Sequence, residues 1–550
     1  MIRVSEAVRL AEVIQVLVRQ GFVDLVRRAG LHESIPAKLL RKVHIMEAPR
    51  GEPETTGRRL RQALTELGPT FIKFGQVLST RPDLVGTDVA RELSQLQDRI
   101  TPIPISEMAP VFKEELGEDP SVLFDEFDPE PIAAASLSQV YRARLKTGEQ
   151  VAVKIQRPRI ERTIEADLSL MHRIAEWVAT HVTDMDWFDG PGIVEEFARS
   201  IRRELDFHVE ARVIERFRAN FHDVRDVFVP KTYRDYSGQR VLTMDWVDGV
   251  RVDALDQYES RNCLPARVAA ISAEMICRQI FDFHLFHADP HPGNIFITEN
   301  DRIAFLDYGM IGHIERTDAM TLADLLACLF RADAAGFMDS LLLLTEGEPQ
   351  NRAGMEHQVA DFIAFEGQAI VGGGRVGEGI EKMINLLRSN QLQLAPRFSL
   401  LLKALATVET VGHMLDADMD MVPVIQPHVD KLLLARYSPA HLLADARDIV
   451  SGLMRLTRKL PADVEQVLRM LRLGKLKIQL NHEGLSHLSK VTDVASNRIA
   501  IGVILGSLII GSSHLITVGG GAYRLGLAGY IVAGLLGMSL VISIIRSKKY

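Results

Sequence analysis

The sequence predicts a helix-rich α+β fold: a small mixed lobe followed by a larger helical lobe, preceded by a helical extension and followed by a transmembrane helical hairpin. Three observations carry this. Apolar residues recur at spacings of three and four over most of the chain, short β-type runs cluster between about Val122 and Lys154, and two 20-residue stretches near the end carry no charge.

The chain has 550 residues, of which 47% are hydrophobic and 25% charged. That length exceeds a single small module, and the composition excludes disordered and collagen-like chains. The net charge of −8 gives no basic field of the kind nucleic-acid binding needs, so nucleic acid is not an expected partner. Cys263, Cys277 and Cys328 are too few and too widely spaced for a disulfide framework or a CxxC zinc site, and read as reduced thiols.

Residues 1 to 115 read as a helical extension, with Ile14, Leu17 and Val18 followed by Phe22, Leu25 and Val26 at helical spacing and a break near Pro53. Glu6 and the lack of a charged-then-apolar pattern in Met1 to Leu10 mean that no cleavable signal peptide is expected there, and the acidic residues weigh against a transit peptide. Residues 116 to 248 form the small lobe. Gln139 to Arg144 and Val151 to Lys154, joined by Lys146 to Glu149, read as a β-hairpin. Helical periodicity resumes from about Ile160 to Phe221, including one helix from about Pro191 to Phe221, and short strands recur near Phe228 to Val229 and Val241 to Trp246. Residues 249 to 490 read as a mostly helical lobe with an apolar strand at Ile303 to Leu306.

Residues 491 to 550 read as a two-helix membrane anchor. Ile499 to Val518 and Gly526 to Ile545 are each uncharged and about long enough to cross ~30 Å of hydrocarbon. Gly519 to Leu525 would turn them into a hairpin. Lys490 and Arg498 lie before the pair and Arg546, Lys548 and Lys549 after it, so both flanks are expected on the cytoplasmic side. Gly502 and Gly506 have the small-xxx-small spacing that lets helix backbones approach, which allows a homodimer without requiring one. The last 52 residues contain no Asp or Glu and carry +4, which leaves −12 on the first 498. The mild overall charge therefore conceals an acidic body and a basic-edged tail.

Three separated motifs make chemical sense together. The first is Val151-Ala152-Val153-Lys154, a lysine ending a strand. The second is His287-Ala288-Asp289-Pro290-His291-Pro292-Gly293-Asn294, and the third is Asp307-Tyr308-Gly309, thirteen residues after Asn294. Phosphoryl transfer needs a cation on the α- and β-phosphates, a carboxylate to take a hydroxyl proton, and an amide with a second carboxylate to hold Mg²⁺. Lys154, Asp289, Asn294 and Asp307 can fill those roles in that order. A strand-ending lysine is usually solvated, and Asp-Tyr-Gly is most often a turn; the ordered set is what carries the reading. A zinc site at His287, Asp289 and His291 would lack a further ligand and suffer the intervening prolines, so the histidines read as braces of the loop. Lys154 also needs a carboxylate partner, and Glu204, Asp206 and Glu210 are the candidates; on one continuous helix Asp206 and Glu210 would lie about 40° apart, with Glu204 about 120° from Glu210.

These motifs resemble the protein-kinase-like superfamily, and more closely its atypical UbiB branch, named for ubiquinone biosynthesis. The resemblance rests on Leu67 to Gln76 continuing through Leu78 to Leu84, Ala133 to Ser136, Glu204 to Asp206, His287 to Asn294 and Pro396 to Leu400, spanning about residues 60 to 420. It implies a two-lobed protein-kinase-like fold that binds ATP and Mg²⁺. By the same resemblance Glu210 partners Lys154, while Glu204 and Asp206 form an acidic pair that engages Lys73. The Lys73-x-Gly75-Gln76 element is implied to lie over the cleft, where a protein substrate would otherwise enter, as a gating or inhibitory device.

Two departures from ordinary kinases stand out. The phosphate loop reads Ala133-Ala134-Ala135-Ser136 where a Gly-rich run would allow backbone N–H groups to close over phosphates, and alanine restricts the positive φ that glycine permits. The resemblance implies that this loop tunes nucleotide selectivity and suppresses protein-kinase behaviour. Ala288 also replaces the arginine of the usual catalytic loop, so activation by a phosphorylated segment docking there is not expected. The implied function is a cytoplasmic-membrane protein, its body in the cytoplasm, that uses Mg-ATP to support quinone biosynthesis by handling lipid precursors alongside partner enzymes. A lipid or small-molecule kinase and a nucleotide-gated scaffold are the alternatives.

Overall fold

A computed structural model describes residues 4–23, 55–96, 101–181, 189–436, 485–518 and 522–547. The expected break at Pro53, the pair Leu25 and Val26, the Gly519–Gly521 turn and the stretch 437–484 lie outside them. The chain forms two compact units, Met1–Leu443 and Ala444–Tyr550.

In the first unit, strands β1 (Phe124–Phe127), β2 (Ala133–Ala134), β3 (Ser138–Leu145) and β4 (Gln150–Gln156) belong to one sheet. After β5 (Val227–Phe228), β6 (Val241–Asp245) completes it in the order β1-β3-β4-β6, with β2 on β3. Its inner face, with Tyr141, Val151, Val153 and Val241 fully buried, packs on helix Ile105–Leu116 through Met108 and Phe112. The alternating pattern of β3 meets this need directly, since successive side chains face opposite sides of a strand. Lys154 does not end its strand: β4 continues to Gln156, and Lys154 pairs with Val140 on one side and Leu242 on the other.

The second half of this unit is helical but also contains β7 (Val250–Arg251), β8 (Leu285–His287), β9 (Ile295–Ile297), β10 (Ile303–Phe305) and β11 (Ile311–His313). They form a sheet ordered β5-β10-β9-β7 and an antiparallel pair β8-β11. Of the shortest ones only Ile303 to Leu306 was legible, because three-residue strands are too brief to show a period. Behind them lies a large apolar core of helices that includes Pro265–Cys277, Arg316–Phe330 and Pro396–Leu415.

The helix expected from Pro191 to Phe221 is two helices, Gly190–Glu204 and Phe207–Asn220. Asp206 caps the second, its carboxylate accepting from the His208 N–H. Buried Gln156 donates to the Leu205 carbonyl, and Phe207 N–H donates to the Gln239 carbonyl, which satisfies backbone groups that the break exposes. Glu204 and Glu210 therefore stand on different helices, and the angular comparison between them does not hold.

In the second unit, helix Leu485–Val518 starts before the boundary expected at 491 and is followed by helix Ala522–Ser547. Within it, Ile499–Thr517 has mean hydropathy 2.1 with only 6% of that window buried, long and apolar enough to cross a membrane. Helix Pro396–Leu415 passes the same test, but half of it is buried among the core helices of the first unit. Gly502 and Gly506 face open space. The close approach between the two tail helices is made by Gly526 and Gly529, where any Cβ would collide with Ser512 or Ile516.

Candidate active site

The short strands explain how distant motifs converge. β9 and β10 pair antiparallel with Ile295 opposite Phe305, so the residues flanking that pair, Asn294 and Leu306, are joined by a 3.1 Å bond from the Leu306 N–H to the Asn294 carbonyl. Asp307 thus emerges beside the loop that carries Asp289 and Asn294. The loop is braced by His287, a buried ring stacked on Phe305 with centroids 4.4 Å apart. Its Nε2 donates to the Asp307 carbonyl and its Nδ1 accepts from the Asp289 N–H, which fixes the tautomer and keeps the ring neutral. Burial also pushes its pKa below the ordinary histidine value.

Lys154 reaches this point from β4. Its Nζ lies 2.9 Å from both carboxylate oxygens of Glu210 and 3.2 Å from Asp307 Oδ1, over the ring of Phe207. Glu210 is in place because Phe207, Glu210, Ile214 and Phe217 share the buried face of their helix. Burial works against the Lys154 ammonium, but Asp307 and Glu210 outweigh it and hold its pKa above the usual lysine value. Partial burial works against the Asp307 carboxylate, whose side chain keeps some access to water; Lys154 and Lys73 outweigh that and hold it well below the usual carboxylate range.

Of the two acidic residues expected to engage Lys73, Glu204 does so at 2.7 Å, whereas Asp206 caps a helix. Lys73 lies on helix Pro69–Ser79 and is buried, and Glu204 passes close to Gly309. The N-terminal extension therefore reaches the cleft through Lys73. Gln76 does not accompany it; its amide donates to the Leu96 carbonyl within the extension. Gly75 is needed for that packing, because a Cβ there would collide with Leu96 and Leu64.

The alanine loop is partly strand. Ala133 and Ala134 form β2, the Ala135 carbonyl accepts from Arg157, and Ser136 Oγ is fully buried with no hydrogen-bond partner among the described residues. Leu137 packs into the core of the N-terminal helices, so the loop is joined to the extension as well as to β3. A buried hydroxyl without a partner is costly unless a ligand satisfies it.

Asn294 Nδ2 donates to the Asp289 carbonyl, which leaves its Oδ1 to accept, and Asp307 Oδ1 takes Lys154 and the Gly309 N–H, which leaves Oδ2. Among the described residues no group of three or more His, Cys, Asp or Glu converges to cage a metal. An amide oxygen and one carboxylate oxygen fit a hard cation that draws its remaining ligands from phosphates and water, the habit of Mg²⁺. Bound there, such a cation would neutralise phosphate charge. Asp289 lies in the same loop, five residues before Asn294. Burial would raise its pKa, but Lys403 and His291 outweigh that and keep the carboxyl ionised.

Lys403 was not legible as a site residue. It comes from the middle of helix Pro396–Leu415, and its Nζ lies 3.3 Å from Asp289 Oδ1. The available signal was a lone lysine inside the apolar run Phe398 to Leu405.

Residues 95–341 match the ABC1 atypical kinase-like domain, and residues 483–546 match the ABC1/UbiB kinase-like C-terminal domain. The chloroplastic protein Activity of BC1 Complex Kinase 7 of Arabidopsis thaliana is 32% identical over 450 residues, covering 79% of this chain and 64% of the relative. This chain thus spans just under two thirds of that protein. The probable protein kinase UbiB of Cellvibrio japonicus is 32% identical over 444 residues, 77% of this chain and 78% of its own. That of Xanthomonas campestris is 30% identical over 511 residues, covering 88% and 90%. The chain belongs to the ABC1/UbiB family of atypical kinase-like proteins.

Proposed function

We propose that the protein is a membrane-anchored, Mg-ATP-binding atypical kinase or ATPase that supports isoprenoid quinone biosynthesis through ATP-dependent handling of lipid precursors. The observation that carries this reading is the convergence of Lys154, Glu210 and Asp307 beside the loop of Asp289 and Asn294. In this reading Lys154 takes the α- and β-phosphates, Asn294 and Asp307 hold Mg²⁺, Asp289 receives the proton of the attacking oxygen, and Ala133 to Ser136 lie over the nucleotide. Lys73, paired with Glu204, forms the gating element, and Gln76 supports it from within the extension. The quinone connection draws on the relatives named UbiB.

The apolar stretch Ile499–Thr517 supports the anchor. The flanking basic residues favour the inner membrane of a bacterium with the body in the cytoplasm. Quinone-biosynthesis enzymes are the proposed partners. A lipid or small-molecule kinase is a second reading, favoured by the ionised Asp289, which suits deprotonation of a hydroxyl. A scaffold without turnover is less favoured, because it would have no need of all four site residues.

The test is quinone content in a deletion strain. Restoration by the wild-type chain and not by Asp289→Ala, at equal protein level, is the expected result. Equal rescue by both would overturn the assignment.

A further inference from the structure

The loop from His287 to Asn294 contains no lysine or arginine, although a phosphoryl group passing to an acceptor on Asp289 would bring negative charge into it. Of the nearby cations, Lys154 is held by Glu210 and Asp307, and Lys73 is held by Glu204. His291 Nε2 stands 3.8 Å from Asp289 Oδ2, beyond hydrogen-bond distance, and its Nδ1 accepts from the Gly293 N–H.

Lys403 differs from these. It rises from a helix whose neighbouring positions Leu402, Ala404 and Leu405 are buried, and its side chain is 21% exposed. Its Nζ meets Asp289 Oδ1 at 3.3 Å across 114 residues of sequence. A lysine in such a helix is normally excluded from the packed face unless its head finds a charged partner. An ammonium has three donors, so one bond to Asp289 leaves two for another oxygen at the same place.

The geometry points to Lys403 as the cation of the transfer site: it holds the Asp289 carboxylate in position and takes an oxygen of the phosphoryl group as that group leaves the nucleotide. This rests on the phosphoryl-transfer reading above. In the step served, the bond from the γ-phosphorus to the β,γ-bridging oxygen breaks, and the nucleoside diphosphate leaves with the electron pair. A bond forms between the γ-phosphorus and the oxygen of water or a hydroxyl, whose proton passes to Asp289. Lys403 gives up no proton; it offsets charge on the transferred oxygens. A helix in the large lobe thus supplies what the catalytic loop lacks.

The experiment uses the full chain in lipid vesicles with Mg-ATP, measuring phosphate release and, separately, nucleotide affinity. Lys403→Met should lower the turnover number about 100-fold, the effect of removing one donor from a developing oxyanion, with nucleotide affinity nearly unchanged. Lys403→Arg should recover part of the loss, which a purely structural tether would not require. If the methionine variant does not fold, Lys403→Gln is judged by the same two readings. Turnover at the wild-type level, or a loss matched by an equal loss of nucleotide affinity, overturns the assignment. Asp289→Asn separates the two levels: if it is inactive while Lys403→Met is fully active, only the Lys403 assignment fails. If Asp289→Asn releases phosphate at the wild-type rate, or the wild-type chain releases none, the transfer reading fails and this inference with it.

Discussion

Removing one partner from the Lys154–Glu210 pair should cost far more than removing both. Glu210 is 5% exposed and Lys154 14%, so Lys154→Met leaves a carboxylate in an apolar helix face with the Tyr308 N–H, 3.4 Å away, as its remaining donor. Breaking a buried pair costs about 3 to 5 kcal/mol. The lower end is expected here because Glu210 can take up a proton. Asp307, at 43% exposed, can be hydrated and adds little. Adding Glu210→Leu replaces the orphaned carboxylate with a side chain that suits its neighbours Phe207, Ile214 and Phe217, and should return stability to within about 1 kcal/mol of wild type. Urea unfolding of the detergent-solubilised protein, followed by circular dichroism, reads the stability. Phosphate release reads the chemistry and should be absent from both variants. A double variant no more stable than Lys154→Met would refute the reasoning, as would a single variant as stable as wild type.

The same charges set the pH response. Asp289 and Asp307 are depressed, so their contribution to stability is fully present above the ordinary carboxylate pKa of about 4 and is lost as pH falls through the lowered values. Lys154 is raised, so its contribution is fully present below about 10.4 and is lost only as pH rises through the higher value. Urea midpoints should therefore show no step from these three groups between about pH 5 and about pH 9; Glu210, raised by burial, and His287, lowered by burial, are the groups of the site left to titrate there, and a step in that window that persists in Glu210→Gln and His287→Gln but vanishes in Asp307→Asn would contradict the assignment. In the tail, Gly529→Val should separate the two helices, because a Cβ at that position already collides with Ser512. Earlier melting and faster proteolysis of Gly529→Val than of the wild type would agree; unchanged melting and proteolysis would count against the close approach.

Much of the site could be read from the chain because its parts are local and, though each is weak alone, their order is distinctive: a strand lysine after a hairpin turn, an Asp and an Asn five apart, and an Asp after an apolar strand. What was missed follows from length and from tertiary override. Three-residue strands such as β8 and β11 carry too few residues to display alternation. The run from Pro191 to Phe221 keeps helical periodicity through Leu205 and Asp206, yet the bonds from Gln156 and Phe207 favour a break there. The pairing of Asp206 with Glu204 against Lys73 comes from the resemblance, and the break turns Asp206 from a face residue into the cap of the second helix. Gly502 and Gly506 have the spacing of a contact, but contact depends on which face meets the neighbouring helix, and Gly526 and Gly529 fill that part. A lone lysine in the apolar run Phe398 to Leu405 marks Lys403 as unusual, but no local pattern names its partner, which lies 114 residues away.

The central claim is that one cleft, built from Lys154, Glu210, Asp289, Asn294 and Asp307, performs divalent-dependent nucleotide chemistry. Its most direct test is phosphate release from ATP by the purified full chain in lipid vesicles, with and without Mg²⁺, for the wild type and Asp307→Asn. The account predicts release by the wild type that stops on chelation of the metal and is absent in Asp307→Asn. Equal release by the two proteins, or release that persists without divalent cation, would contradict it.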